Sequence, residues 1–356
     1  MRTVTVLGAA LAVLYLPTVA TAQEAPQTAT PDTASAQEDS QAPRLLPSAA
    51  AAYAEYQTEV TEIRKTPLAN AKQVDSALTS FGARNADQLS TGWMSYSALV
   101  AARNSQFADE VKNIEGFYGR DRVVTGMKND IGYARTLKGG EDALQMALAV
   151  NDRDSSRISD AAAYVKGQSY KLADISWAKK RVASPTKRAN QLKLSAQTAQ
   201  PIAEAAQKFF DTADLDLVLA HAESTASESS VWDKVSLLTA SAPTAALSAL
   251  TPSSVKAAPA AMKVLTKRES TANRMVTLAA LQIMEAASTN PNEVKAAMHD
   301  AATTECIGDA QLQLQACVST AKDPYEQSFC LAQHALGDGS DNRVLSTGRC
   351  FAEISR

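Results

Sequence analysis

Apolar side chains along the chain recur every three or four residues, and the strict alternation that marks β-strands is nearly absent. Ile131, Ala134 and Leu137 show this spacing, and residues 275–284 are apolar on almost every side. Residues that favour helices, chiefly Ala, fill most positions after Ser48. The pattern predicts an all-α protein, a multi-helix array of antiparallel helices, with residues 275–284 in a central buried helix.

Proline-containing segments mark where several of these helices should begin. Asn290-Pro291 and Asp323-Pro324 are each followed by Glu two residues after the Pro. At a helix N-terminus the Asn or Asp accepts a free backbone N–H, Pro sacrifices no hydrogen bond, and Glu meets the positive end of the helix dipole. Weaker versions of this signal occur at Thr66-Pro67, Ser184-Pro185, Gln200-Pro201 and Thr251-Pro252. Together they predict about ten to twelve helices.

The N-terminus has the pattern of a secretory signal peptide. Arg2 precedes an apolar run over residues 4–16, and Ala20-Thr21-Ala22 provides a small-x-small cleavage site. We therefore predict a signal peptide over residues 1–22, cleavage after Ala22, and a periplasmic or secreted mature chain. The absence of Asn-x-Ser/Thr sequons favours a bacterial source. Residues 23–47, rich in Ala, Gln, Thr, Pro and Ser, are predicted to form a disordered tether.

The rest of the chain is predicted to comprise a helical domain over residues 48–289 and a C-terminal helical hairpin over residues 290–356, stapled by disulfides and packed on that domain. All four cysteines, Cys306, Cys317, Cys330 and Cys350, lie in this hairpin. An even number of clustered cysteines in an exported chain indicates two disulfides.

Helix geometry selects the pairing. With a turn at Asp323, Cys317 and Cys330 lie about 9 and 10.5 Å from the pivot on opposite arms, at nearly equal heights. Cys306 is about 16 Å from Cys317 along a continuous helix, too far for a bond. The expected pairs are Cys317–Cys330 and Cys306–Cys350, although a helix ending at Gly308 would reopen the alternatives.

A metal site is the competing interpretation of the cysteines, because His299 and His334 lie near them in the sequence. The cysteine spacings lack the close pairs that zinc sites use, so we predict no metal ligand and no cofactor. The chain is also not expected to cross a membrane after processing, since no later segment has 18 uninterrupted apolar residues.

Charge is the remaining functional signal. The net charge of −3 disfavours a nucleic-acid partner, which usually requires a basic excess. One stretch is nonetheless strongly basic, and an acidic stretch follows it over residues 204–233. The basic residues, which could bind an anionic partner, are Lys179, Lys180, Arg181, Lys187, Arg188 and Lys193. Alternatively, two successive antiparallel helices of opposite charge face each other or the solvent.

The sequence contains no Gly-x-Ser-x-Gly, phosphate-loop, Gly-x-Gly-x-x-Gly or His-Glu-x-x-His motif. Ser-x-x-Lys matches begin at Ser184, Ser253 and Ser319. Because no Lys-Thr-Gly element accompanies them, we interpret them as chance matches rather than catalytic sites. His221 is a candidate general base, although Glu223 lies on a different side of a helix and would not orient it. We expect an exported, non-catalytic envelope protein that binds a protein or an anionic envelope component. Two alternatives remain: a periplasmic hydrolase with a dispersed site, and a small-ligand carrier with an apolar pocket beside residues 275–284.

Overall fold

The computed structural model describes residues 44–211, 266–337 and 344–355 of the chain. Within these ranges it contains fourteen α-helices and no strand, which confirms the predicted all-α fold. The helices are α1 (Leu45–Lys65), α2 (Ala71–Gly82), α3 (Ala86–Ala101), α4 (Ser105–Tyr118), α5 (Arg120–Asn129), α6 (Tyr133–Thr136), α7 (Gly140–Leu172), α8 (Pro185–Gln197), α9 (Glu204–Asp211), α10 (Lys267–Ile283), α11 (Pro291–Met298), α12 (Ala301–Thr320), α13 (Pro324–Cys330) and α14 (Thr347–Ser355). A short 3-10 helix, Ala286–Ser288, precedes α11, and α13 continues as a π-helix over Leu331–Leu336. None of the helices in these ranges combines the length and apolar character that a bilayer crossing demands.

The predicted N-caps behave differently from one another. The Asp323 side chain accepts a hydrogen bond from the Glu326 backbone N–H, as the sequence predicts. Asn290 also stands at an N-cap, but its side chain accepts no hydrogen bond from α11 and instead accepts one from the Thr289 hydroxyl. The predicted capping hydrogen bond at Asn290 therefore does not form, and the side-chain oxygen bonds to the Thr289 hydroxyl in its place.

The weaker proline signals mark helix boundaries less consistently. Ser184 is the N-cap of α8, with Pro185 in its first turn. Thr66 instead ends α1, and α2 begins after Asn70, whose side chain accepts the Gln73 N–H. Pro201 precedes α9 by three residues, and Thr251-Pro252 lies outside the described residues.

Helix α1 begins at Leu45, three residues before the predicted boundary at Ser48. Leu46 and Pro47 are buried, and burial of their apolar surface stabilises a helix that includes the last residues of the predicted tether. Pro47 fits there because a first-turn residue has no backbone hydrogen bond to lose. Residues 1–43, which include the predicted signal peptide and most of the predicted tether, lie outside the described ranges.

The segment predicted to be central does lie in the core. Every side chain from Met275 to Leu281 in α10 is buried, and Met284 just beyond it is 1% exposed. The same hydrophobic core includes residues of the main helices and of the C-terminal hairpin, such as Leu314 and Leu331. The predicted segments 48–289 and 290–356 therefore share one core.

The C-terminal helix α14, which the sequence pattern did not indicate, carries Phe351 into this core. The Phe351 ring is fully buried, and its centroid lies 5.3 Å from Tyr53, 5.9 Å from Tyr56 and 5.5 Å from Trp93. Aromatic pairs at these separations add stabilisation beyond the area they bury. The end of the chain is thus part of the centre of the fold.

Two disulfides join the hairpin in the pairing predicted from the spacing: Cys317 with Cys330, and Cys306 with Cys350. The turn of three residues between α12 and α13 makes the two arms run in opposite directions and brings Cys317 and Cys330 to the same level. Helix α12 continues through Gly308, so the alternative that a break there would have opened does not arise.

The disulfides should contribute unequally to stability. Cys306–Cys350 spans 44 residues and Cys317–Cys330 spans 13, and a longer loop restricts the unfolded chain more. We expect paired Cys→Ala substitution to lower the free energy of unfolding by about 4 and about 3 kcal/mol, respectively, in chemical denaturation. Peptide mapping of the non-reduced protein checks the pairing itself, and recovery of a Cys306–Cys317 peptide would contradict it.

Gly92 in α3 lies directly against the backbone of α1. A Cβ added there would lie 2.8 Å from the Ala49 carbonyl oxygen and 2.9 Å from the Tyr53 backbone nitrogen. Such short contacts would force the helices apart, so we expect Gly92→Ala to lower the free energy of unfolding by about 1–3 kcal/mol.

Gly167→Ala is the matched control for Gly92→Ala. Gly167 lies inside α7, and a Cβ added there meets no atom within 4 Å. Because Ala favours helix over Gly, this substitution should raise the free energy of unfolding by about 0.5–1 kcal/mol. Chemical denaturation of both variants measures the difference, and effects of the same sign would argue against close packing of α1 on α3.

Candidate functional site

The loop between α7 and α8, residues 173–184, holds the first three of the predicted basic residues. Two backbone hydrogen bonds attach this loop to the hairpin: Val182 N–H donates to the Lys322 carbonyl at 2.8 Å, and Tyr325 N–H donates to the Ala178 carbonyl at 3.2 Å. Ala178 is fully buried. The backbone that carries Lys179, Lys180 and Arg181 is therefore held against the hairpin turn.

The hairpin turn contributes a further cation, Lys322, whose side chain is exposed. The two acidic residues beside it are engaged by backbone groups. Asp323 accepts the Glu326 N–H, and the Glu326 carboxylate accepts the Lys322 N–H. Lys322 is therefore the exposed charged side chain of the turn, and the two carboxylates beside it are half-buried and hydrogen-bonded to backbone N–H groups.

We define the basic surface as Lys179, Lys180, Arg181 and Lys322. All four side chains are exposed, and none of them forms an ion pair with a residue in the described ranges. The acidic residues nearest to them in the sequence are Asp174, at the start of the loop, and Asp323 and Glu326, beside Lys322. Solvated, unpaired cations held on one fixed backbone are suited to binding an anionic partner.

Of the remaining predicted residues, Lys187 resembles this group and Arg188 does not. Lys187 is exposed in the first turn of α8 and has no ion pair among the described residues. Arg188 Nε lies 2.6 Å from an Asp75 carboxylate oxygen, and Arg188 Nη2 donates to the Asp75 carbonyl. Arg188 thus joins α8 to α2 and is engaged within the protein.

Lys193 lies in a different environment, a groove of about 600 Å³ lined by residues of α3, α8 and α12. Asp87, Glu305 and Asp309 also line this groove, and Asp87 contacts His299 Nδ1 at 2.9 Å. Lys193 lies six positions after Lys187 in α8, which places it about 9 Å further along the helix axis. The predicted basic run is therefore distributed over three environments, because a helix directs successive side chains to different sides.

The acidic stretch over residues 204–233 is described only as far as Asp211. Glu204 pairs with Lys208 at 2.6 Å within α9, and the acidic residues after Asp211, with His221, lie outside the described residues. The alternative in which an acidic helix faces the basic one therefore stays a hypothesis.

A buried network of polar and charged side chains lies between α1 and α7. Gln57 donates to the Tyr53 hydroxyl at 2.6 Å, and that hydroxyl donates to Asp154 at 3.3 Å. Arg157 donates to Gln57 Oε1 at 3.2 Å and pairs with Asp154. Burial, with a smaller contribution from Asp154, raises the pKa of Tyr53 well above its usual value. Tyr53 therefore stays a neutral hydrogen-bonding group, and the network joins two helices.

A second cluster of charged side chains, Arg84 with Glu59 and Glu55, lies beside the core. Arg84 Nη2 lies 2.5 Å from Glu59 and Nη1 lies 3.1 Å from Glu55. Burial raises the pKa of Glu59, although Arg84 opposes that shift. These ion pairs join α1 to Arg84, two residues beyond the end of α2.

Sequence inspection missed Lys322, because 141 residues separate it from Arg181 and only the hairpin turn brings the two backbones together. The signal that could have indicated it is the cap at Asp323, which fixes the turn. Comparison of the chain with family models, with curated proteins and with solved structures finds no match.

Proposed function

We propose that this chain is an exported, non-catalytic protein of the bacterial cell envelope that binds an anionic envelope component through the basic surface. The observation that carries the proposal is the set of four exposed cations on the loop and turn, held by two backbone hydrogen bonds. The signal-peptide pattern over residues 1–22 and the disulfide-bonded hairpin support an oxidising compartment outside the cytoplasm.

The energetics favour a surface of many anionic groups over a single small anion. An exposed Lys or Arg gains only about 1 kcal/mol near an anionic surface, and that gain falls off within the Debye length, about 8 Å at physiological salt. Four such residues acting together reach useful affinity when the partner offers several negative charges at once. Binding should accordingly weaken as salt is added.

Attachment of the loop lowers the cost of binding. A flexible basic segment must be ordered when it binds, and each ordered residue reduces the affinity. Here the loop backbone already bonds to the hairpin through Val182 and Tyr325, next to the Cys317–Cys330 disulfide. Ordering on binding is therefore confined mainly to the Lys and Arg side chains.

Charge reversal tests the proposal. With Lys179→Glu, Lys180→Glu and Arg181→Glu combined, we expect the processed, disulfide-bonded chain to lose at least about tenfold in affinity for anionic probes, since each cation contributes about 1 kcal/mol. The probes are phosphatidylglycerol-containing vesicles, measured by co-sedimentation, and soluble polyphosphate, measured by calorimetry. Added salt should weaken binding of the unaltered chain to both.

The matched control is Lys72→Glu, Lys112→Glu and Arg122→Glu combined. These three residues are exposed on α2, α4 and α5, and none has an ion pair with a described residue. The control changes the net charge equally, so it should retain most of the binding. Equal losses in the two triple variants, or binding unaffected by the loop variant, would overturn the proposal.

A further inference from the structure

An aromatic row lies directly beside the basic surface. Tyr170, in the last turn of α7, packs edge to face on Phe329 with centroids 5.0 Å apart, and Phe329 packs in the same way on Tyr325 at 5.1 Å. Tyr325 is the residue whose N–H bonds to Ala178 in the basic loop. The backbone of Tyr325 therefore joins the aromatic row to the basic loop.

Two apolar side chains of this region face the solvent. Tyr170 is 58% exposed, and Ile175, within the loop itself, is 37% exposed. Lys171 follows Tyr170 and is also exposed. A single exposed apolar residue is ordinary, but here an exposed aromatic and an exposed aliphatic side chain lie in or next to the loop that carries the unpaired cations. We call these two side chains and the basic surface together the patch.

Resting on the proposed function, we infer that the anionic component is the headgroup surface of a phospholipid bilayer. Cations at a bilayer contact phosphate groups, while Tyr and aliphatic side chains enter the boundary between headgroups and acyl chains. The basic surface supplies the first contact, and Tyr170 and Ile175 supply the second. Tyr suits this boundary because its ring is apolar and its hydroxyl remains hydrated.

The apolar residues separate this inference from one in which the partner is a soluble polyanion. A chain of phosphate or carboxylate groups would bind the cations and gain little from Tyr170 or Ile175, because it offers no hydrocarbon. An anionic bilayer offers both phosphate groups and hydrocarbon. An anionic bilayer is therefore the occupant that uses the whole patch.

Another exposed aromatic pair provides a contrast. Phe117 and Tyr118, at the end of α4, are 80% and 52% exposed. The cation beside them, Arg120, is paired with Glu115 at 2.6 Å. Phe117 is an exposed aromatic side chain outside the basic loop and the hairpin turn, so it serves as a control for the loss of an exposed ring.

The experiment compares vesicles of phosphatidylcholine with and without phosphatidylglycerol, and soluble polyphosphate. We expect Tyr170→Ser with Ile175→Ser to weaken binding to the anionic vesicles about tenfold and to leave polyphosphate binding unchanged, since removing apolar side chains removes only the interfacial contact. Phe117→Ser should bind like the unaltered chain. Ile175→Ser alone, in the loop, provides a second variant if the double variant fails a circular-dichroism check of folding.

The outcomes separate the inference from the proposed function. If the double serine variant binds anionic vesicles as well as the unaltered chain does, while the loop charge reversal abolishes binding, the basic surface binds anions and the lipid inference is wrong. Tighter binding to polyphosphate than to vesicles would identify a soluble polyanion as the partner. If loop charge reversal changes nothing, the proposed function itself is wrong.

Discussion

Burial of Phe351 among Tyr53, Tyr56 and Trp93 is the interaction on which the architecture depends. It places α14 in a core to which α1, α3 and α7 each contribute many buried side chains. The Cys306–Cys350 disulfide then joins the residue before Phe351 to the first arm of the hairpin. Because Phe351 is buried in the core and Cys350 is bonded to Cys306, the first arm of the hairpin is fixed to the core.

The proposed site follows from that constraint. The second disulfide, Cys317–Cys330, joins the two arms next to the turn, and the turn bonds to the loop that carries Lys179, Lys180 and Arg181. A disulfide and two backbone hydrogen bonds therefore connect the basic surface to the hairpin and, through the hairpin, to the core.

The helical class, the buried helix over residues 275–284 and the disulfide pairing could be predicted because each depends on local spacing. The spacing of apolar residues indicates helices, and the helix rise per residue places Cys317 and Cys330 at nearly equal heights in the hairpin. The composition of the basic surface depends instead on tertiary contacts. Whether Arg188 is free depends on Asp75, 113 residues earlier, and Lys322 meets the basic loop only through the folded hairpin.

The most direct test of the account is hydrogen–deuterium exchange of the processed, disulfide-bonded protein with and without phosphatidylglycerol vesicles. Bound vesicles should slow exchange in peptides that cover residues 170–182 and the hairpin turn near Lys322, because those segments would meet the bilayer. Slowed exchange in the groove around Asp87 and Glu305 or at the Phe117 corner, with the loop unchanged, would contradict it.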